Sequence, residues 1–364
     1  MAKMLMKGNE ALAAAAINAG CRFFFGYPIT PQNEIPEYMA RELPKVGGTY
    51  VQAESELAAI NMIYGAAGAG ARVLTSSSSP GISLMQEGIS YIAGAELPCV
   101  LVNVMRAGPG LGSIQPAQSD YFQAVKGGGH GDYRLLVLAP ANLQEAVDLM
   151  EAAFDLADKY RNPVMILADG MIGQIMEPVE ITPYHPQANL PPKDWATTGT
   201  AESGGRRRII NSLFLDPDAL EQHVQALYRK YAAMEQNEVR CETYQCEQAD
   251  IIIVAYGTTS RIARTAIAKC ARLGLRVGLL RPITLYPFPY NAFAPVIDQA
   301  KAFLAVEMSM GQMVEDVQIA VAGRKPVHFY GRSGGNVPLP DAIVQKVQDI
   351  IVARNSSFVR SPGA

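Results

Sequence analysis

The stretch Gln52–Gly70, QAESELAAINMIYGAAGAG, brings two acids out of an apolar run and then turns into small apolar residues. Thr49, Tyr50 and Val51 ahead of it favour a strand. Leu57, Ile60, Asn61, Tyr64, Ala67 and Gly68 recur at helical spacing, so one face of the next helix is expected to be covered. A carboxylate at such a strand-to-helix turn is costly to bury ionised unless a partner waits for its proton. The plainer alternative makes Glu54 and Glu56 a first-turn pair that complements the helix dipole.

Upstream, MAKMLMKGNEALAAAAINAG superficially imitates a secretion signal, but Asn9 and Glu10 interrupt the apolar run. An amphipathic helix capped at Asn9 and ended by Gly20 is the better reading. Cys21–Phe25 reads as a strand, followed by Tyr27-Pro28-Ile29-Thr30-Pro31. There Thr30 is the expected N-cap and Pro31 the first helical residue, with the threonine hydroxyl aimed beyond the strand end. Downstream, Ala71–Thr75 is a strand that delivers Ser76 to Ser79, with Ser79-Pro80-Gly81 as a helix start.

Pro98–Val104 is a further strand, leading to Met105-Arg106 and Ala-Gly-Pro-Gly-Leu-Gly. Pro109 and the absence of a helix on the third glycine argue against a dinucleotide fingerprint. An arginine at the end of a buried strand suits a carboxylate, whose two oxygens its fork fits. The glycines of Lys126-Gly-Gly-Gly-His130-Gly-Asp132 allow close backbone approach to a ligand and make His130 a candidate substrate contact. Strands at Leu135–Ala139 and Pro163–Ala168, with helix Leu143–Tyr160 between them, complete a doubly wound α/β domain over residues 1–181. Residues 182–249 form an irregular connection with one helix, Asp216 to Asn237. A second α/β domain runs over 250–364, with strands at Ile251–Ala255, Arg276–Arg281, Ala302–Glu307 and Val327–Tyr330. Its Gly331–Asn336 segment reads as a tight turn or an anion nest. Ligands of such sheets bind beyond the carboxyl ends of strands. Thr30, Glu56, Ser76–Ser79 and Arg106 all fall at such ends.

Composition narrows the function. Of 364 residues, 49% are hydrophobic and only 18% charged, which points to shared surfaces as well as cores. A net charge of -3, with Arg206 to Arg208 as the one basic run that stands out, gives no reason to expect nucleic acid. No apolar run reaches membrane-spanning length. Five scattered cysteines without a Cys-x-x-Cys pair imply a reduced, cytoplasmic chain holding no metal cluster of its own.

These motifs, in this order, resemble the α subunit of 2-oxoacid:ferredoxin oxidoreductases. The resemblance rests on Tyr27-Pro28-Ile29-Thr30-Pro31, Glu54-Ser55-Glu56, Thr75–Ser79 with Pro80-Gly81, and Arg106–Gly112 with Gln118-Ser119-Asp120. In the second domain it rests on Arg281-Pro-Ile-Thr-Leu-Tyr-Pro-Phe-Pro289 and Val306-Glu-Met-Ser-Met-Gly-Gln-Met313. It implies a pyrimidine-binding thiamine-diphosphate domain followed by a transketolase C-terminal-like domain. The Gly108–Ser113 loop is most similar to that of branched-chain, 2-oxoisovalerate members; 2-oxoglutarate members are the alternative.

The resemblance implies that Glu56 activates the cofactor through its pyrimidine, that Arg106 binds the substrate carboxylate, and that Thr30 lies close by. Ser78 and Ser79 would contact the cofactor. The implied reaction is oxidative decarboxylation, with coenzyme A as acyl acceptor and ferredoxin as electron acceptor. The Gly-Asp-Gly loop that holds diphosphate and Mg2+ is missing, since Ala168-Asp169-Gly170 only imitates it and Asn189 is wrongly spaced. A β subunit is therefore expected to bring that site and a [4Fe–4S] cluster, with γ and ferredoxin-like δ subunits beside it. A lipoamide-linked dehydrogenase β chain, a non-catalytic structural subunit and a dinucleotide-binding protein are the competing readings.

Overall fold

A computed structural model describes residues 3–187, 189–201 and 204–359. The first sheet sets Thr49–Gln52, Phe23–Gly26, Val73–Ser77, Cys99–Ala107, Pro163–Asp169 and Leu136–Leu138 side by side in that order. All of these neighbours run parallel. Both faces are covered, as a parallel sheet requires. On one face Val73, Leu101 and Met105 pack with Ile60 and Ile63 of helix Glu56–Gly68 and with Ile82 and Ile89 of helix Ser79–Gly94. On the other, Leu74, Val100 and Val102 pack with Leu12, Met39 and Met150 from helices Gly8–Asn18, Glu34–Glu42 and Leu143–Tyr160.

The second sheet has five strands, ordered Cys241–Tyr244, Val277–Pro282, Ile251–Val254, Ala302–Glu307 and Val327–Gly331. All are parallel except the first, which pairs antiparallel with Val277–Pro282. Its inner face shares one core with the Glu56 side of the first sheet, through Ile252, Val254, Leu280 and Phe303. Helices Gly257–Arg272 and Pro340–Val359 cover its outer face.

Several local expectations change. The amino-terminal segment starts with strand Met4–Lys7, paired antiparallel to Met176–Val179, and Lys7 takes the cap position of the first helix. Asn9 lies inside that helix, where its amide donates to Pro31 O and Glu34 Oε2. Thr30 caps no helix: the Thr30–Pro31 peptide is cis and the helix starts at Glu34. The proline-rich crossing after Pro282 supplies strand Thr284–Tyr286, which joins the edge of the first sheet antiparallel to Leu136–Leu138. Strand Ser113–Pro116, also unforeseen, folds back onto the end of Cys99–Ala107. In the Gly331–Asn336 segment, Gly335 packs on the first domain, where a Cβ would stand 2.4 Å from Gln115 Cβ.

Buried polar groups weld the two sheets. Gln118 donates to Tyr256 O and accepts from Thr259 Oγ1 and the Met308 amide. Asp316 gathers the hydroxyls of Tyr121 and Tyr290 and the Lys126 ammonium. Arg281 grips Glu145 with both terminal nitrogens at 2.8 Å and turns Nε to Glu242.

Glu307 explains the Val306–Met313 motif. Its buried carboxylate accepts from Ser309 Oγ and the Gln312, Met313 and Val314 amides, and so caps helix Met313–Val321 from the strand before it. Burial pushes this carboxyl above its ordinary range against the pull of those donors. Glu307→Ala strands all of them inside the fold. It is expected to cost about 3 kcal/mol, read as a lower midpoint in denaturant at unchanged slope.

Candidate active site

Glu56 opens its helix directly after Ser55, whose hydroxyl accepts the Ala58 amide and so takes the capping duty. That relieves Glu56 of it. Glu54 lies before the cap and is exposed, so the two acids do not form a first-turn pair. Glu56 is 5% exposed. Its carboxylate makes no hydrogen bond or ion pair among the described residues. The covered face of its helix is Ala59, Ile60, Ile63, Ala67 and Gly68, whereas Leu57 and Met62, at 47% and 39% exposure, lie outside it.

The neighbouring helix start presses close to this acid. A Cβ on Gly81 would stand 2.0 Å from Ser77 Oγ and 2.5 Å from Glu56 Oε1, so only glycine passes there. About two turns further along the same face, a Cβ on Gly88 would meet Ile60 Cγ2 at 2.5 Å. These glycines hold the two helices together along the Glu56–Ile60 side.

Around Glu56 the hydroxyls divide by strand alternation. Thr75 and Ser77 share the Val73 face, toward Glu56, and both hydroxyls are buried without a partner. Ser76 faces the other layer and donates to Gln32 Oε1 at 2.5 Å. Ser78 holds the cap position of helix Ser79–Gly94, in extended backbone, with its Oγ also unpartnered. Ser79 does not cap that helix: its hydroxyl donates to Asp120 Oδ2 at 2.6 Å and accepts from the Arg106 amide at 3.0 Å. Burial pushes the Asp120 carboxyl up, against hydrogen bonds from Ser79 and Asn103. Of the two serines picked from sequence, Ser78 has a free hydroxyl and Ser79 is engaged in structure. Ser77 was missed as an individual, although the alternation from Val73 marks it.

Arg106 is 9% exposed, inside strand Cys99–Ala107 rather than beyond it. Nη1 donates to Thr30 O and Nη2 to Leu111 O, each at 3.1 Å, while Nε has no partner. Arg106 and Thr30 are thus in direct contact, and Ser79 ties Arg106 to the helix start beside Glu56. Buried, unsatisfied donors and acceptors are rare in folded proteins, and Thr75, Ser77, Ser78 and Arg106 bring four such atoms to the carboxyl ends of two neighbouring strands.

His130 is not brought into this group. It is exposed, its amide donates to Ser90 Oγ, and its ring meets Tyr91 edge-on at 5.7 Å. Ser90 lies eleven positions after Ser79 on the same helix, roughly 16 Å along the axis at the usual rise. A cavity of about 630 Å3 adjoins Thr30, Pro31, Ile114 and Pro116; neither Glu56 nor Arg106 lines it. Among the described residues no cluster of His, Cys, Asp and Glu could hold a metal, and no helix is long and apolar enough to cross a membrane.

The chain is similar to known proteins over most of its length. The family model for pyruvate flavodoxin/ferredoxin oxidoreductase, thiamine-diphosphate-binding, matches residues 14–245. That for pyruvate:ferredoxin oxidoreductase core domain II matches 249–343. A ketoisovalerate oxidoreductase subunit of Methanothermobacter marburgensis is 52% identical over 96% of this chain and 98% of its own length. A 2-oxoglutarate synthase subunit of Methanothermobacter thermautotrophicus is 36% identical over 94% of this chain and 97% of its own. Among solved structures, the 2-oxoglutarate:ferredoxin oxidoreductase of Magnetococcus marinus, with 2-oxoglutarate, coenzyme A and succinyl-CoA bound, superposes at a TM-score of 0.85 and 28% identity. That match covers 95% of this chain and 65% of the solved one. With family models matching 14–245 and 249–343 and a relative 52% identical over 96% of its length, the chain belongs to the 2-oxoacid:ferredoxin oxidoreductases, as one subunit of such an enzyme.

Proposed function

We propose that this chain is the α subunit of a complex that oxidatively decarboxylates a branched-chain 2-oxoacid, 2-oxoisovalerate, with coenzyme A. The products are an acyl-CoA, CO2 and reduced ferredoxin. The observation that carries the reading is the carboxylate of Glu56, a residue 5% exposed and without a partner among the described residues, close to the buried free hydroxyl of Ser77. This donor and acceptor set fits the nitrogen-rich pyrimidine of thiamine diphosphate. Glu56, Ser77 and Ser78 would hold that ring. When bound, thiamine diphosphate supplies the carbon nucleophile and electron sink that a 2-oxoacid needs in order to lose CO2.

This chain's residues then have separate tasks. Glu56 would present its carboxylate to the pyrimidine and exchange a proton with it. Arg106 takes the substrate carboxylate on its unpartnered Nε edge, and its bonds to Thr30 O and Leu111 O keep the guanidinium from turning. Thr30 borders the same place, and Ser79 with Asp120 fixes the strand end. His130 can reach substrate only if its loop or a partner carries it there, so we assign it no role in this chain alone.

Among the described residues no His, Cys, Asp and Glu cluster could hold the diphosphate's Mg2+. Asp169, the nearest acid in such a context, is spent on the Met171 and Ile172 amides and on Thr258 Oγ1. We therefore place the diphosphate, Mg2+ and [4Fe–4S] sites in a β subunit, with γ and ferredoxin-like δ subunits completing the complex. The 52% identity to a ketoisovalerate subunit, against 36% to a 2-oxoglutarate one, supports the branched-chain substrate.

The test is purification of the native complex and assay of coenzyme-A-dependent viologen reduction with a panel of 2-oxoacids. The expected result is thiamine and iron in the complex and the highest kcat/KM with 2-oxoisovalerate. Preference for 2-oxoglutarate would move the substrate, and acyl transfer to lipoamide instead of coenzyme A would reject the reaction.

A further inference from the structure

A second cavity, of about 480 Å3, opens where three parts of the chain meet. Arg134 lines it from the first domain, Glu235 from the end of helix Pro217–Asn237, and Tyr286 from the edge strand Thr284–Tyr286. It is not the proposed active site, since none of Glu56, Ser77 and Arg106 lines it. The buried side chains of Leu285 and Phe288 give it an apolar wall. One ion pair on it is already closed: Asp316 takes the Lys126 ammonium and the Tyr290 hydroxyl, each at 2.6 Å. Arg134 and Glu235 differ. Both stand against one phenol, whose hydroxyl donates to Glu235 Oε1 at 3.0 Å and whose ring centre lies 6.0 Å from the Arg134 guanidinium. Among the described residues they form no ion pair with each other. Arg134 donates only from Nη1 to the neighbouring Tyr133 O, and Glu235 Oε2 has no partner. The cavity therefore offers a cation and an anion, each with bonding capacity left over, beside an apolar wall.

We propose that this cavity binds an α-amino acid with an apolar side chain: carboxylate on Arg134, ammonium on Glu235, side chain against Leu285 and Phe288. The fork of an arginine fits a carboxylate, and hydrogen bonds between ionised partners are the stronger kind. A plain carboxylate would meet the like charge of Glu235, and a plain amine that of Arg134, so each is selected against. A zwitterion with both charges on one carbon satisfies both residues at once. Its apolar side chain sheds water against the wall. The volume lies within the roughly 300–1,000 Å3 usual for small-molecule sites. The site is independent of the 2-oxoacid chemistry proposed above.

The experiment is equilibrium dialysis of the intact complex against radiolabelled L-leucine. Leucine is expected to bind once per copy of this chain. Glu235→Gln and Arg134→Gln should each weaken binding about tenfold or more, the scale of one lost charge-assisted pair. Arg106→Ala should leave it unchanged. As competitors, 4-methylpentanoate lacks the ammonium, 3-methylbutylamine lacks the carboxylate and glycine lacks the side chain. Each should displace leucine with affinity lower by about tenfold or more. These competitors are tested on the unmodified complex, so they decide the matter even where a variant fails to fold. No leucine bound at millimolar concentration overturns the proposal, as do competitors that match leucine. Binding that survives both cavity variants, or that is lost in Arg106→Ala, overturns it too, the latter by placing leucine at the substrate site. None of these results requires oxidation of a 2-oxoacid, so this site and the proposed function fail separately.

Discussion

Glu56→Gln in the assembled complex is expected to lower kcat for 2-oxoacid oxidation by about 10²- to 10⁴-fold, the range of a lost general acid–base group, without loosening the subunits. The glutamine keeps the shape of the side chain and its burial among Ala59, Ile60 and Gly81 but cannot hold or release the proton. Among the described residues no group hydrogen-bonds the carboxylate, so its removal strands no donor and folding should be nearly unaffected. Gly81→Ala should move activity the same way by a different route, because its methyl would displace both the carboxylate and Ser77 Oγ. Glu54→Gln, an exposed change before the helix, is the control that should leave turnover alone. Turnover near normal in Glu56→Gln would end the assignment.

Arg106→Ala should raise KM for the 2-oxoacid and leave coenzyme A binding where it was. Loss of one charge-assisted pair is worth roughly 1.5–3 kcal/mol, or about 10- to 150-fold. The guanidinium also holds the Thr30 and Leu111 carbonyls, so some loss of kcat from a loosened loop is expected beside the KM effect. Arg106→Lys keeps the charge without the fork and should recover only part of the affinity. An unchanged KM in steady-state viologen reduction would mean that the carboxylate is held elsewhere.

Much of this site was legible in the sequence because it lies at the ends of long, strongly patterned strands. The alternation of strand and helix by itself puts Glu56, the serine run and Arg106 at the carboxyl ends of strands of one sheet. The Ser55 cap, which sets Glu54 apart from Glu56, was not read from the sequence, where the two acids could still form a first-turn pair. What stayed hidden depends on distant partners. Met4–Lys7, Met176–Val179 and Thr284–Tyr286 are short edge strands, with lysine or proline in or beside them, that exist because something far along the chain pairs with them. Asp316 meets Lys126 across 190 residues, a pairing no local pattern announces. Thr30 looked like a cap because Thr-Pro usually is one, yet the chain needs its carbonyl for Arg106 and starts the helix at Glu34. The serine run was read as a block, and only the pleat separates Thr75 and Ser77 from Ser76.

The central claim is that this chain holds half of an active site, the proton-handling and carboxylate-binding half. Its most direct test is reconstitution from separately purified chains, following 2-oxoisovalerate- and coenzyme-A-dependent viologen reduction with thiamine diphosphate and Mg2+ supplied. The chain alone should show no activity, and activity should appear on adding the cluster-bearing partner and vanish again when the added α chain carries Glu56→Gln. Full activity from the partner without this chain, or equal activity with the Glu56→Gln chain, would contradict it.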